Sequence, residues 1–115
     1  MALYGGTVTN LDDSDMRIYE CNWDLKAVGL SDSEVWAVWD EDGQKNECTL
    51  KRVEIEGIEC WVGPLQCSGI DDTEGEVLAM RYDLLQGGAA LIAEWKFGDK
   101  EGKYLIDVEP KPAKA

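Results

Sequence analysis

Two short turn signals constrain this chain more than anything else in it. Residues 34–62 read Glu34 to Asp40 (EVWAVWD), Asp42-Gly43, Glu47 to Ile55 (ECTLKRVEI), Glu56-Gly57 and Ile58 to Val62 (IECWV). Asp-Gly between apolar runs signals a hairpin, because both central residues of a type I′ turn need positive φ. Glu56-Gly57 is a weaker form of the same signal, since Glu tolerates that conformation less well. Together they predict a three-stranded antiparallel meander.

The turns also set a register. A two-residue turn at Asp42-Gly43 pairs Asp40 with Lys45, Trp36 with Thr49 and Glu34 with Lys51. Two of these pairs join opposite charges, which favours the register by at most about a few tenths of a kcal/mol each. A two-residue turn at Glu56-Gly57 pairs Val53 with Cys60, Ile55 with Ile58 and Arg52 with Trp61. Alternation then sorts the side chains onto two faces. One collects Trp36, Val38, Val53, Ile55, Ile58, Cys60 and Val62, and is expected to be core. The other holds Val35, Ala37, Trp39, Cys48, Leu50 and Trp61 among Arg52, Glu54 and Glu59, and is too apolar for a freely solvated surface.

Outside the meander, Met16 to Trp23 (MRIYECNW) is rich in β-formers and reads as a strand. Glu76 to Leu85 also reads as one, with Leu78, Met80, Tyr82 and Leu84 alternating with Ala79, Arg81 and Asp83. A capping box at Thr73-x-x-Glu76 and the Gly87-Gly88 pair make a short helix near 74–86 the alternative. Ala89 to Phe97 and Lys103 to Glu109 alternate cleanly across the loop Gly98 to Gly102, which predicts a second hairpin. Residues 1–9 suggest an N-terminal arm or short edge strand, and Pro110 and Pro112 are expected to stop the last strand and leave a Pro/Lys tail over 110–115. The expected fold is one all-β domain over 1–109, mainly antiparallel, a small sandwich or barrel built from hairpins.

Composition limits what such a domain can do. Eleven Lys and Arg against 24 Asp and Glu give a net charge of −13, and Lys51-Arg52 is the only adjacent basic pair. That surface repels phosphates and anionic lipid, so neither direct nucleic-acid binding nor a membrane partner is expected. The chain has no His, which removes the Ser-His-Asp and Cys-His arrangements, and its glycines match no phosphate-binding loop. An enzyme is therefore not expected, and no cofactor is implied. Cys21, Cys48, Cys60 and Cys67 contain no C-x-x-C spacing and read as buried free thiols. The acidic turns offer weak Ca²⁺ candidates in Asp12, Asp13 and Asp15 and in Asp71, Asp72 and Glu74, none in an EF-hand pattern. Solvated turns are the favoured explanation.

Five tryptophans in 115 residues remain to be placed. Trp36 and Trp39 cannot share a strand face, because their spacing is odd. Trp36, Trp39 and Trp61, with Arg52 and Tyr4, are the candidate partner-interface residues. The leading expectation is a non-catalytic subunit that packs against its own copies or a larger partner, such as a capsid-decorating or connector component of a phage particle. An acidic nucleic-acid mimic that blocks a basic protein is the alternative, and a carbohydrate-binding domain stacking sugars on Trp39 or Trp61 is a third. With no basic-plus-apolar leader and no apolar run of about 18–20 residues, synthesis in the cytoplasm is expected, with incorporation into a virion for a particle component.

Overall fold

In the computed structural model, eight antiparallel strands close into an up-and-down barrel in chain order. The structure describes residues 3–11, 22–41, 43–68 and 73–111, with the side chains of residues 3, 73, 100 and 111 excepted. The strands are β1 (Leu3–Asn10), β2 (Asn22–Leu30), β3 (Glu34–Glu41), β4 (Gln44–Ile55), β5 (Ile58–Ser68), β6 (Thr73–Asp83), β7 (Ala89–Phe97) and β8 (Lys100–Lys111). β1 pairs with β8 from Leu3↔Lys111 to Asn10↔Tyr104, so no strand is left as an edge. Residues 3–9 of the expected N-terminal arm thus belong to a strand of the barrel wall, and residues 1 and 2 lie outside the described residues.

Both turns in the meander carry the register their sequences set. Asp40 faces Lys45, Trp36 faces Thr49 and Glu34 faces Lys51; Arg52 faces Trp61, Val53 faces Cys60 and Ile55 faces Ile58. Glu56 and Gly57 have φ of 52° and 79°, the two positive values a type I′ turn requires. Residues 74–83 form strand, not helix. The β7–β8 turn is tighter than expected: Phe97 faces Lys100, and Gly98 alone has positive φ. Pro110 lies inside β8 opposite Tyr4, which is allowed because β7 begins at Ala89, opposite Val108, and leaves that flank of β8 free.

The strand expected over residues 16–23 is described only at its last two residues. Only Asn22 and Trp23 belong to a described strand, and β2 continues to Leu30; residues 16–21 lie outside the described residues. A register shift between Leu25 and Ala27 breaks the alternation, so Leu25 and Val28 both point inward three residues apart. That spacing hides the strand from a period-two reading.

The larger correction concerns the two faces of the meander. The barrel interior takes Val35, Ala37, Trp39, Cys48, Leu50 and Trp61, the face expected to be the outer one. Trp36, Ile55 and Ile58 stand outside, exposed. Arg52, Glu54 and Glu59, which made the inner face look polar, are exposed near the tip of the β4–β5 hairpin, beyond the buried Leu50 and Trp61. Size matters as well. Large Trp39 and Trp61 share the core with small Ala37, Cys48, Ala79, Ala89 and Ala93, the mix of large and small side chains that fits a narrow barrel.

Candidate functional site

Each end of the barrel is closed by its own polar device. At the end where β3 turns into β4, one carboxylate oxygen of Glu41 accepts from Trp39 Nε1 at 2.9 Å and from the Tyr104 hydroxyl at 2.8 Å. The Trp39 and Tyr104 rings meet edge to face at 5.6 Å, and Trp95 packs on Tyr104 at 6.0 Å. At the other end Arg81 lies 4.5 Å over the Trp61 ring, donates to the Ser31 carbonyl at 2.6 Å and pairs with Asp83 at 2.8 Å. Both constellations tie opposite walls together and fill the lumen. Their side chains are committed to each other, so they serve the fold.

Burial perturbs two groups in this interior. The Cys48 thiol is pushed from 9.0 up to about 12, chiefly by desolvation; a backbone hydrogen bond from Ala37 works the other way, and the Glu47 charge adds to the rise. Desolvation, then the neighbouring Glu41 charge and hydrogen bond, raise the Tyr104 hydroxyl well above its ordinary value. Both groups stay protonated in the folded barrel after their unfolded counterparts begin to ionise. Their contribution is fully present below pH 9 and is lost as pH climbs through the window from 9 towards 12. The urea midpoint should therefore fall between about pH 8 and about pH 10.5, and a midpoint that holds or rises would contradict the buried placement of these groups.

The expected interface residues divide across the wall. Trp39 and Trp61 are inside, at 0% and 2% exposure, so neither can meet a partner or a sugar ring. Trp36 is outside at 39%, where its ring occupies the space a side chain on Gly29 would need. Arg52 is exposed on the β4–β5 hairpin, and Tyr4 is half-buried against the core. Glu74 is exposed on β6, while Asp12, Asp13, Asp15, Asp71 and Asp72 lie outside the described residues. Among the described residues no group of His, Cys, Asp and Glu is placed to hold a metal ion. Cys48 and Cys67 point into the lumen, whereas Cys60 is buried on the outer side, and Cys48 and Cys60 are free thiols. Cys21 lies outside the described residues.

The surface that stands out was not among the expected residues. On the outer side of β4 to β8, Val53 faces Cys60, Met80 faces Ile92 and Ile92 faces Leu105. The β5–β6 ladder ends at Trp61↔Ala79, which makes Cys60 and Met80 the next neighbours on this face and joins the five residues in one row. A second row holds Ile55 opposite Ile58, then Tyr82 opposite Ala90. A third contributes Val62 opposite Leu78. Beside them, hydrogen bonds from Leu84 to Gly88 and from Gly87 to Leu84 shape a loop that holds Leu85 fully in solvent. With strands about 4.8 Å apart and same-side residues about 6.8 Å apart, the field covers ~300 Å² of sheet before that loop is added. A signal for it existed: residues 76–85 carry apolar side chains at both parities, more than one interior can take.

Flanking this face, towards the β7–β8 turn, lies an open groove of about 1030 Å³ whose walls mix Val62 and Leu78 with Glu76, Glu94, Lys96 and Lys103. No family model, curated protein or solved structure matches the chain.

Proposed function

We propose that this chain is a non-catalytic interaction subunit of a larger assembly and that it docks through the outer face of β4 to β8. The observation that carries this reading is the row Val53, Cys60, Met80, Ile92 and Leu105 with its apolar neighbours, a field without charge on a chain of net charge −13. A field of this size lies within the range of the largest apolar patch on an ordinary monomer, about 300–600 Å², and such patches are often functional surfaces. Inside the barrel, Glu41, Trp39, Tyr104 and Arg81 are engaged with one another or with the backbone at its two ends, while Asn46 Oδ1 and Trp95 Nε1 are buried without a hydrogen-bond partner. A lipid-covered barrel would carry its apolar band all round the outside; here Asp24, Glu34, Lys45, Glu47, Glu76 and Lys96 are spread over the outer wall. A capsid-decorating or connector component of a phage particle is the kind of role such a subunit fills.

A photoreactive benzoylphenylalanine in place of Tyr82 tests this in the cells or particles that contain the chain. One discrete protein adduct is expected from position 82 and none from the same probe at Lys45, an exposed outer position on β4 near the opposite end. No adduct at 82, or equal labelling at both positions, would overturn the reading.

A further inference from the structure

The charges around the β4–β8 face identify its occupant, taking the interaction reading above as given. Two copies of so acidic a chain repel each other wherever carboxylates meet, and like charges in register across an interface disfavour association strongly. From β4 to β7 the rows through Met80 and Tyr82 contain no charged residue, so here two copies can meet without that penalty.

The residues on either side of the Met80 row make the face complementary to itself. Towards the β7–β8 turn the next outer residues are Lys51, Val62, Leu78, Glu94 and Lys103 on β4 to β8 in turn. Towards the β4–β5 hairpin tip they are Ile55, Ile58, Tyr82, Ala90 and Asp107. A two-fold axis lying along the Met80 row, across the strands, keeps each strand over its own counterpart and exchanges these two flanks. Val62 then lies over Ile58, Leu78 over Tyr82 and Lys103 over Asp107, while Lys51 lies over Ile55 beside Glu56. Only Glu94, over Ala90, finds no counterpart. An axis along the strands would instead keep each flank against its own kind.

We propose that two copies of this chain pack outer face to outer face across β4 to β8 about a two-fold axis that crosses the strands. Met80 and Ile92 sit at its centre, and Lys103 meets the partner's Asp107. Sheets packed face to face commonly keep their strands within about 30° of alignment, so the pairing of flanks survives the twist of the two walls. The apolar field supplies the dry centre of an interface that buries about 800 Å² per copy, and Leu84 and Leu85 with the charged flanks supply its rim. The contact is isologous and closes at two copies.

Sedimentation equilibrium on the full chain from about 1 to about 100 μM reads the result directly. The expected mass is twice that of the chain, falling towards one copy on dilution. Met80→Glu is expected to be monomeric throughout, and so is Tyr82→Glu, with the circular dichroism and unfolding midpoint of the parent, since both side chains lie outside the core. Lys103→Asp should weaken association at least tenfold, and adding Asp107→Lys to the same chain should restore it, because each two-fold contact then regains opposite charges. A single-copy mass at every concentration would overturn the proposal, as would dimers indifferent to both glutamate variants or a double reversal no tighter than the single one. A monomeric chain that still gives a discrete Tyr82 photo-adduct with a different protein removes this proposal and leaves the interaction surface standing. A chain giving neither removes both.

Discussion

Trp39→Ala is expected to cost about 3–5 kcal/mol of unfolding free energy, whereas Trp36→Ala should cost about 1 kcal/mol or less. The two residues are three apart on one strand and chemically identical, so the contrast isolates which way each side chain points. Trp39 is fully buried, fills the lumen against Tyr104 and donates to Glu41. Its removal opens a cavity and leaves that carboxylate with one donor fewer. Trp36 covers Gly29 on the outside and loses only partial contact. With a domain stability of about 5–15 kcal/mol, the first substitution consumes a large share of the whole. Urea unfolding of both variants beside the parent decides it. Equal losses, or the larger loss at Trp36, would mean that the meander presents its other face to the core.

Gly63→Ala should be more damaging still. A Cβ built at Gly63 would stand 1.7 Å from the backbone carbonyl oxygen of Thr49, with the Leu50 Cα at 3.2 Å. No side chain can rotate aside to relieve that clash; β4 and β5 themselves must separate, in the middle of a closed barrel. The expected result is loss of the cooperative transition at room temperature, or a cost above about 4 kcal/mol, the range that marks backbone strain or a broken core. By contrast, the Cβ at Gly98, at the tip of the β7–β8 turn, would meet nothing within 4 Å. Gly98→Ala should lose only what its positive φ demands, about 1–2 kcal/mol. Thermal unfolding followed by circular dichroism distinguishes the two, and a Gly63→Ala protein as stable as the parent would refute the close approach of these strands.

The strand pairing of the meander was legible because turn chemistry fixes register locally. Two Gly-containing dipeptides and the charge pairs beside them are enough to place Trp36 opposite Thr49 and Arg52 opposite Trp61. The choice of face was not legible in the same way. It depends on where the barrel wall ends, and β4 and β5 run past it, so Arg52, Glu54 and Glu59 belong to an exposed tip although their parity is that of the core. β2 escaped because a single register shift at Leu25 and Ala27 destroys the alternation on which a strand reading rests. The closures at the two barrel ends escaped for a different reason. Arg81 reaches Ser31 across fifty residues of sequence, and Tyr104 reaches Glu41 across sixty-three; nothing local in either segment announces the partner. For the candidate surface, the sequence showed that one apolar face would be left over, and the topology decided which one.

That leftover face is where the functional reading stands or falls. Hydroxyl-radical footprinting measures its coverage residue by residue, comparing the dilute isolated chain with the chain in its native assembly. Met80, Tyr82 and Ile92 should be oxidised readily in the isolated chain and protected in the assembly, with Lys45 and Glu47 unchanged and Trp39 silent in both. Equal oxidation of Met80, Tyr82 and Ile92 in the two states, with protection on the wall around Lys45 and Glu47 instead, would contradict it.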